Sequence, residues 1–358
     1  MRWFKTRQRG TLDWDSGSDE EFLELLYHVI LGRKPDSQGY AHNLGLLKEG
    51  HTRRPDLVRA FLLSPECRYR CLIKYPFHEL LSGYVEVADA EPFRPFVRPE
   101  PLREVQLCEL ANPRKWVDQS WLAVLREMEM LSPCLDEAHR KTYEFVQTVF
   151  GLRALGALNS KSRVLGVGAG HESLLYWLAN RVEEVVATDL YKGSWSKKGS
   201  REGDDAVLFD PRKYAPFAYQ EDRLRFLRMD GRKLDFDAES FDVVYSLSAI
   251  EHFGGHQGAS QAVQEMGRVL RPGGVAAVAT ELILNQKPHP EYFLPEELCR
   301  YVVEPAGMEL VQMPVFELPR YALEHPIELP AEKEHKPHLV LRQKGVVYTS
   351  VMLFFCKA

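Results

Sequence analysis

No stretch of this 358-residue chain approaches the roughly 18 consecutive apolar residues that cross a bilayer, so a helical membrane span is not expected. Cysteine is sparse. Cys67, Cys71, Cys108, Cys134, Cys299 and Cys356 form no C-x-x-C pair and no dense framework, which excludes a disulfide scaffold and points to reduced thiols in a cytoplasm. Cys67 and Cys71 stand four apart, the spacing of two side chains packed on one helix face. A basic surplus is missing too. The 46 Lys and Arg against 51 Asp and Glu leave a formal charge of -5, which argues against a nucleic-acid binder held by a basic surface. Met1-Arg2-Trp3-Phe4-Lys5 is followed by no apolar run and does not read as a secretory leader. Repeats and low-complexity tracts are also lacking. What remains is the composition of an ordinary soluble protein, in a chain longer than the ~250–300 residues at which single cores stop growing.

Three regions separate by pattern. Residues 1–75 read as a small all-α domain. Ser18-Asp19-Glu20-Glu21 is a capping box, and Phe22, Leu25, Leu26, Val29 and Ile30 follow at helical spacing until Gly32. A second helix carries Tyr40, Leu44 and Leu47 and stops at Gly50; a third carries Val58, Phe61 and Leu62; Ser64-Pro65-Glu66 opens a fourth. Residues 76–110, with Pro76, Pro92, Pro95, Pro99 and Pro101, read as a semi-extended linker. From 111 to 358 the pattern is α/β. Two amphipathic helices (Val117, Trp121, Leu125, Met128, then Tyr143, Val146, Phe150) lead in over 111–158. Strands and helices then alternate over a core of 160–358, which predicts a mostly parallel sheet. The strands fall at 162–167, 184–188, 224–229, 242–247 and 275–281, with late ones near 308–314 and 347–355. A polar segment, 315–346, separates the last two and reads as a substrate-side insertion or a loosely held excursion.

The chemistry concentrates at Val164-Leu165-Gly166-Val167-Gly168-Ala169-Gly170-His171-Glu172. A strand entering a glycine turn and then a helix lets a ligand lie against backbone, and Asp189, at the tip of the next strand, can take both hydroxyls of a ribose. A dinucleotide fingerprint requires G-x-G-x-x-G, and here its third glycine position is His171 or Ser173 depending on register. That disfavours a nicotinamide dehydrogenase. A shorter G-x-G turn facing ribose without pyrophosphate is what S-adenosylmethionine would require. Each element also has a plain structural use: glycine serves strand-to-helix turns, and aspartate caps helices. Asp242, early in its strand, reads as structural.

Taken in order, the glycine turn, Asp189, Met229-Asp230-Gly231, Phe241-Asp242-Val243-Val244-Tyr245-Ser246 and Leu270-Arg271-Pro272-Gly273-Gly274 resemble the class I S-adenosylmethionine-dependent methyltransferases, well over 160–285 and weakly over 286–358. The resemblance implies a Rossmann-like seven-stranded sheet, mostly parallel with the last strand antiparallel. It implies that Gly166, Gly168 and Gly170, with Val167 and Ala169 between them, line the methionine and ribose portion. Asp189 and Leu190 would meet the ribose, Met229, Asp230 and the Gly231 amide the adenine, and Ser246 and Leu247 would close the pocket. Gly166 departs from the pattern, since the family usually has an acidic residue there; Glu172 is the carboxylate placed to replace it. More narrowly, Ala187-Thr188-Asp189-Leu190-Tyr191, Asp210-Pro211-Arg212-Lys213-Tyr214-Ala215-Pro216, Ser248-Ala249-Ile250-Glu251-His252-Phe253-Gly254-Gly255 and Tyr348-Thr349-Ser350-Val351 resemble bacterial methyltransferases found with glycan-synthesis enzymes. Tyr27, Leu31-Gly32-Arg33-Lys34-Pro35-Asp36, Gly39, Gly50, Phe61-Leu62, Ser64 and Glu66 resemble a small helical domain of undefined role, common in bacterial surface, secreted and glycan-related proteins. A protein or a glycan is the partner such a domain would bind.

A hydroxyl acceptor needs a base, a role that suits histidine as a residue type, and His252 stands where acceptor and methyl group would meet. The expected pair is therefore His252 as base and Glu251 orienting it or binding the acceptor, against the alternative that Glu251 caps a helix and His252 only packs. His252, Glu251 and His256 could instead hold a metal, although H-x-x-x-H here runs through Gly254-Gly255. Lys192, Trp195, Lys197, Lys198, Arg201, Tyr214, Phe217 and Tyr219 form an aromatic and basic excursion that suits a sugar or phosphate acceptor, or a solvated cover. A base-modifying nitrogen methyltransferase would carry an Asn or Asp-Pro-Pro-aromatic tetrad where Ser246-Leu247-Ser248-Ala249 stands. The remaining rival is a non-catalytic adaptor that keeps the fold.

Overall fold

The computed structural model describes residues 17–31, 33–64, 79–91, 93, 105–128, 135–191 and 205–358, in two units divided between His78 and Glu79. In the first unit, helix α1 (Asp19–Ile30) opens on the expected capping box: Ser18 Oγ accepts from the Glu21 amide, and Glu21 accepts from the Ser18 amide. Helices α2 (Ser37–Lys48) and α3 (Arg54–Leu63) follow. Phe22, Leu23, Leu26, Tyr27, Leu31, Leu57 and Phe61 make a core of their own. The Arg33-Lys34-Pro35-Asp36 phrase is explained by local bonding. Asp36 caps α2 through the Gly39 amide at 2.7 Å, Arg33 Nη1 lies 3.1 Å from Asp36, and the same guanidinium covers the Tyr27 ring. The fourth helix expected beyond Ser64 lies outside the described residues, as do Cys67, Cys71 and Cys134.

The second unit is built on strands β3 (Arg163–Val167), β4 (Glu184–Asp189), β5 (Leu224–Arg228), β6 (Phe241–Leu247) and β7 (Leu270–Ile283), all parallel, in spatial order β5-β4-β3-β6-β7. Val164, Leu165, Val185, Val186, Val243 and Val244 are wholly buried because helices cover both faces, the reason these strands read as apolar runs rather than alternations. Strand β12 (Val346–Cys356) closes this set antiparallel to β7. Its outer edge is covered in turn by β11 (Leu341–Gln343), β2 (Glu109–Leu110) and β8 (Glu309–Leu310), and β10 (Ile327–Leu329) adds to β11. Among the described residues the sheet thus has ten strands where seven were expected. The extra three, β2, β10 and β11, are too short and too local in pattern to be read before their partner is known; β2 and β11, with β8, cover the outer edge of β12.

Two stretches acquire definite structure. The described part of 76–110 carries β1 (Tyr84–Glu86), paired with β9 (Glu317–Pro319), and buries Leu80, Phe93, Leu107, Cys108 and Leu110 in the same core as the sheet. The 315–346 segment supplies β9, β10, β11 and a short helix at Arg320–Glu324. Helix α4 (Gln119–Glu127) and helix α5 (Arg140–Ala154) are the lead-in pair, and α5 lies against β7 and β12. The chain reverses its direction of sheet building between β3 and β6, so the carboxyl tips on either side of β3 are where an open α/β sheet places a ligand.

Candidate active site

Strand β3 runs into the glycine turn, and helix α6 (Ser173–Ala179) leaves it. Gly168 and Gly170 take φ of +67° and +47°, a region open to glycine at little cost. The turn is tied to β4 by the Ala169 amide on Thr188 O (3.1 Å), Thr188 Oγ1 on Gly166 O (3.0 Å) and the Gly170 amide on Asp189 Oδ2 (3.1 Å). Asp189 Oδ1 also accepts from the Tyr191 amide at 3.2 Å, so two backbone donors fix its carboxylate. One open pocket of about 200 Å³ lies at these tips. Its walls are Gly168 from the turn, Asp189 and Leu190 after β4, and Met229, Asp230 and Gly231 after β5, with Arg232, His252, Phe253 and Gly254 completing it.

Seven of the expected site residues therefore meet: Gly168, Asp189, Leu190, Met229, Asp230, Gly231 and His252. The others do not line this pocket. Val167 and Ala169 are buried beneath the turn, and Gly170 stands behind Asp189, donating its amide. A Cβ on Gly166 would fall 2.8 Å from Ala169 Cβ and 2.9 Å from Tyr245 Oη, so the acidic residue usual at that place has no room. Tyr245 occupies the space, with its hydroxyl buried and, among the described residues, without a hydrogen-bond partner. Ser246 and Leu247, expected to close the pocket, are turned inward: Ser246 Oγ donates to Val167 O at 2.7 Å, consuming the hydroxyl between strands. Glu172 is largely buried, 4.0 Å from Lys141 Nζ.

Asp230 reaches the pocket but is engaged. Arg232 Nη2 lies 2.6 Å and Nε 3.0 Å from its oxygens, and the Arg232 guanidinium holds the carboxyl below its usual range. Phe253 was not singled out as a site residue, and it matters. Its ring stands against both glycines, since a Cβ would come within 2.7 Å of it at Gly168 and 2.5 Å at Gly231. The two glycines are needed for that ring to lie over the pocket floor.

His252 ends a 3-10 turn (Ile250–His252), with Nδ1 3.3 Å from Glu291 Oε2 and Nε2 3.7 Å from Glu251 Oε1. Glu251 is completely buried and accepts from Thr280 Oγ1 at 2.8 Å. Burial pushes its carboxyl well above the usual range, and the nearby Glu281 adds to this. Burial works on Glu281 as well, but the Arg140 guanidinium, 2.8 Å away, overrides it and keeps that group low. Arg140 also lies 3.1 Å from Glu144, which accepts from the Ser248 and Ser350 hydroxyls at 2.8 and 2.6 Å. Lys141 Nζ donates to Leu247 O and sits 2.9 Å from Glu144. His256, the other ligand of the metal alternative, is spent on Tyr292 O (2.9 Å) and stacks on Phe293. Among the described residues no group of three or more His, Cys, Asp or Glu is placed to hold a metal ion.

The aromatic and basic excursion is described only from 205. Tyr176 Oη donates to Pro211 O and Asn180 Nδ2 to Ala218 O, which folds 205–223 back against α6, while His171 and Tyr214 rings meet at 4.6 Å. Lys192, Trp195, Lys197, Lys198 and Arg201 lie outside the described residues. No helix among the described residues is long and apolar enough to cross a membrane.

Residues 165–278 match the family model of a methyltransferase domain, and 13–71 that of a domain of unknown function, DUF4214. A sterol 24-C-methyltransferase of Debaryomyces hansenii is 41% identical over 58 residues, 16% of this chain and 15% of that protein; the chain thus spans less than a fifth of that relative. The YcgJ protein from Bacillus subtilis aligns over 58% of this chain and 97% of its own, at 17% identity and a TM-score of 0.37. A phosphoethanolamine N-methyltransferase of Haemonchus contortus, in complex with phosphomonomethylethanolamine and S-adenosylhomocysteine, aligns over 59% and 52%, at 15% identity and a TM-score of 0.38. Residues 165–278 thus match a methyltransferase domain, and the α/β unit that contains them has a mostly parallel sheet with its last long strand antiparallel.

Proposed function

We propose that this chain transfers a methyl group from S-adenosylmethionine to a hydroxyl of a sugar or glycan. The observation that carries the reading is the convergence of Gly168, Asp189, Asp230 and His252 on one pocket at the carboxyl tips of β3, β4 and β5 and just after β6. The pocket suits an adenosine. Asp189 presents an amide-fixed carboxylate to a ribose, Phe253 and Leu190 give apolar walls to a purine, and the glycines let backbone approach closely. S-adenosylmethionine, when bound, supplies a methyl group already activated on a sulfonium.

The chain's own task is to align a nucleophile and remove its proton. His252 stands at the pocket wall, and the Glu291 carboxylate beside Nδ1 fixes its ring and favours the tautomer with Nε2 as acceptor. Glu291 thus takes the orienting role first expected of Glu251. Glu251, buried and pushed towards its neutral form, lies 3.7 Å from that same Nε2. The DUF4214 unit gives the chain a second body with its own core, consistent with a protein or glycan partner.

The test is turnover with labelled cofactor on a panel of nucleotide sugars and cell-envelope glycans. His252→Ala should lower kcat by roughly 10²- to 10⁴-fold while leaving cofactor affinity within about twofold. Full turnover in that variant would remove the base assignment; no product from any hydroxyl acceptor would remove the sugar reading.

A further inference from the structure

A second cavity, of about 650 Å³, shares no lining residue with the first and lies between β2, the turn Pro113–Val117, the far end of α5 and the segment before β9. Phe150, on its wall, is ten residues along α5 from Arg140, about 15 Å of helix, so the cavity lies away from the ligand edge of the sheet. Its volume is that of an ordinary small-molecule site.

Its inner wall is a buried ion pair. Lys115 Nζ is 2.7 Å from Glu109 Oε1, and both residues are more than nine-tenths buried. The pair is incompletely spent. Lys115 uses a second N–H on Gln106 O (2.9 Å), and among the described residues it makes no third hydrogen bond; Gln147 approaches only the same Glu109 oxygen, and Glu109 Oε2 accepts none from a described residue. One donor and one acceptor therefore stand side by side at a buried wall, which suits a hydroxyl or a vicinal diol, groups that give and take at once. Beside them the lining is apolar: the Phe150 ring, 5.3 Å from Lys115 Nζ at its centroid, with Val105, Val117 and Val315. At the mouth, Arg114 is held over the Tyr84 ring and 3.8 Å from Glu317.

From this we infer that the cavity binds a pyranose, its hydroxyls on Glu109 and Lys115 and its apolar ring face on Phe150, as a sugar subsite separate from the transfer pocket. Burial pushes the Glu109 carboxyl up to about 7 against the pull of Lys115, so near neutrality it can serve a hydroxyl as acceptor or as donor. The inference does not depend on methyl transfer, because it concerns a different cavity.

Calorimetric titration of the full chain with methyl α-mannopyranoside, methyl β-galactopyranoside, methyl β-glucopyranoside and N-acetylglucosamine tests it. At least one should bind saturably, equally well with and without saturating S-adenosylhomocysteine. Glu109→Gln should weaken that binding by roughly tenfold or more, the loss expected for a charged hydrogen-bond partner. Val117→Trp, which fills the cavity from its exposed rim without touching the ion pair, should abolish it. The inference falls if none of the four sugars binds, if binding survives Val117→Trp, or if it is lost in Gly231→Val, which would place the sugar in the transfer pocket.

Discussion

The two halves of the sheet's carboxyl edge use their polar residues in opposite ways. At the tips of β3, β4 and β5 the chain leaves a void, and its carboxylates are oriented by backbone amides or one exposed arginine. At the tips of β6, β7 and β12 helix α5 closes the edge, and Arg140, Lys141, Glu144, Glu251 and Glu281 bind one another with Ser248, Thr280 and Ser350 filling the remaining bonds. One half keeps donors and acceptors within reach of a ligand; the other consumes them in holding the lead-in helix on the sheet. His252 stands at the border, with the void on one side and the closed network, through Glu251, on the other.

The largest effect should come from the closed half. Arg140→Met would leave Glu144 and Glu281 buried without their guanidinium, and urea unfolding should show a loss of about 3–5 kcal/mol. A loss under about 1 kcal/mol would mean that the network does not hold α5 down, and the contrast between the halves would fail. A smaller effect concerns the latch just before α5. The His139 and His338 rings stack at 4.3 Å, and the Arg140 amide donates to His338 O at 2.9 Å. Burial lowers both imidazoles, His139 to about 2 with His338 as the next cause, and His338 to about 4 with Arg140 as the next. The folded chain refuses protons that the unfolded chain takes up below about 6.5, so stability is full above that pH and is lost as pH falls towards 4. His338→Asn should reduce the difference in unfolding free energy between pH 7.5 and pH 5. An unchanged difference would place the acid sensitivity elsewhere.

The open half was more legible in the sequence than the closed one. Gly168 and Asp189 follow mostly apolar strand runs, Asp230 follows the Leu224–Arg228 strand, and the sheet order brings those ends together. Ser246 and Leu247 do not line the pocket, and the sequence hides this for a related reason. Strand β6 is buried on both faces, so no alternation says which residue points to the edge, and Val167 O claims the Ser246 hydroxyl. Nothing near Arg140 in sequence announces Glu281 or Ser350, which reach it across 141 and 210 positions. Phe253 was hidden differently: its role depends on two glycines that arrive from separate loops. The capping box at Ser18 needed no such information, being complete within four residues.

Calorimetric titration of S-adenosylhomocysteine into the full chain and into Gly231→Val tests the central claim most directly, because a valine there would drive into Phe253 and Val167 Cγ1 and fill the pocket. The account predicts saturable one-to-one binding by the parent chain and none by the variant, with both folded by circular dichroism. Absence of heat with the parent, or equal affinity in the variant, would contradict it.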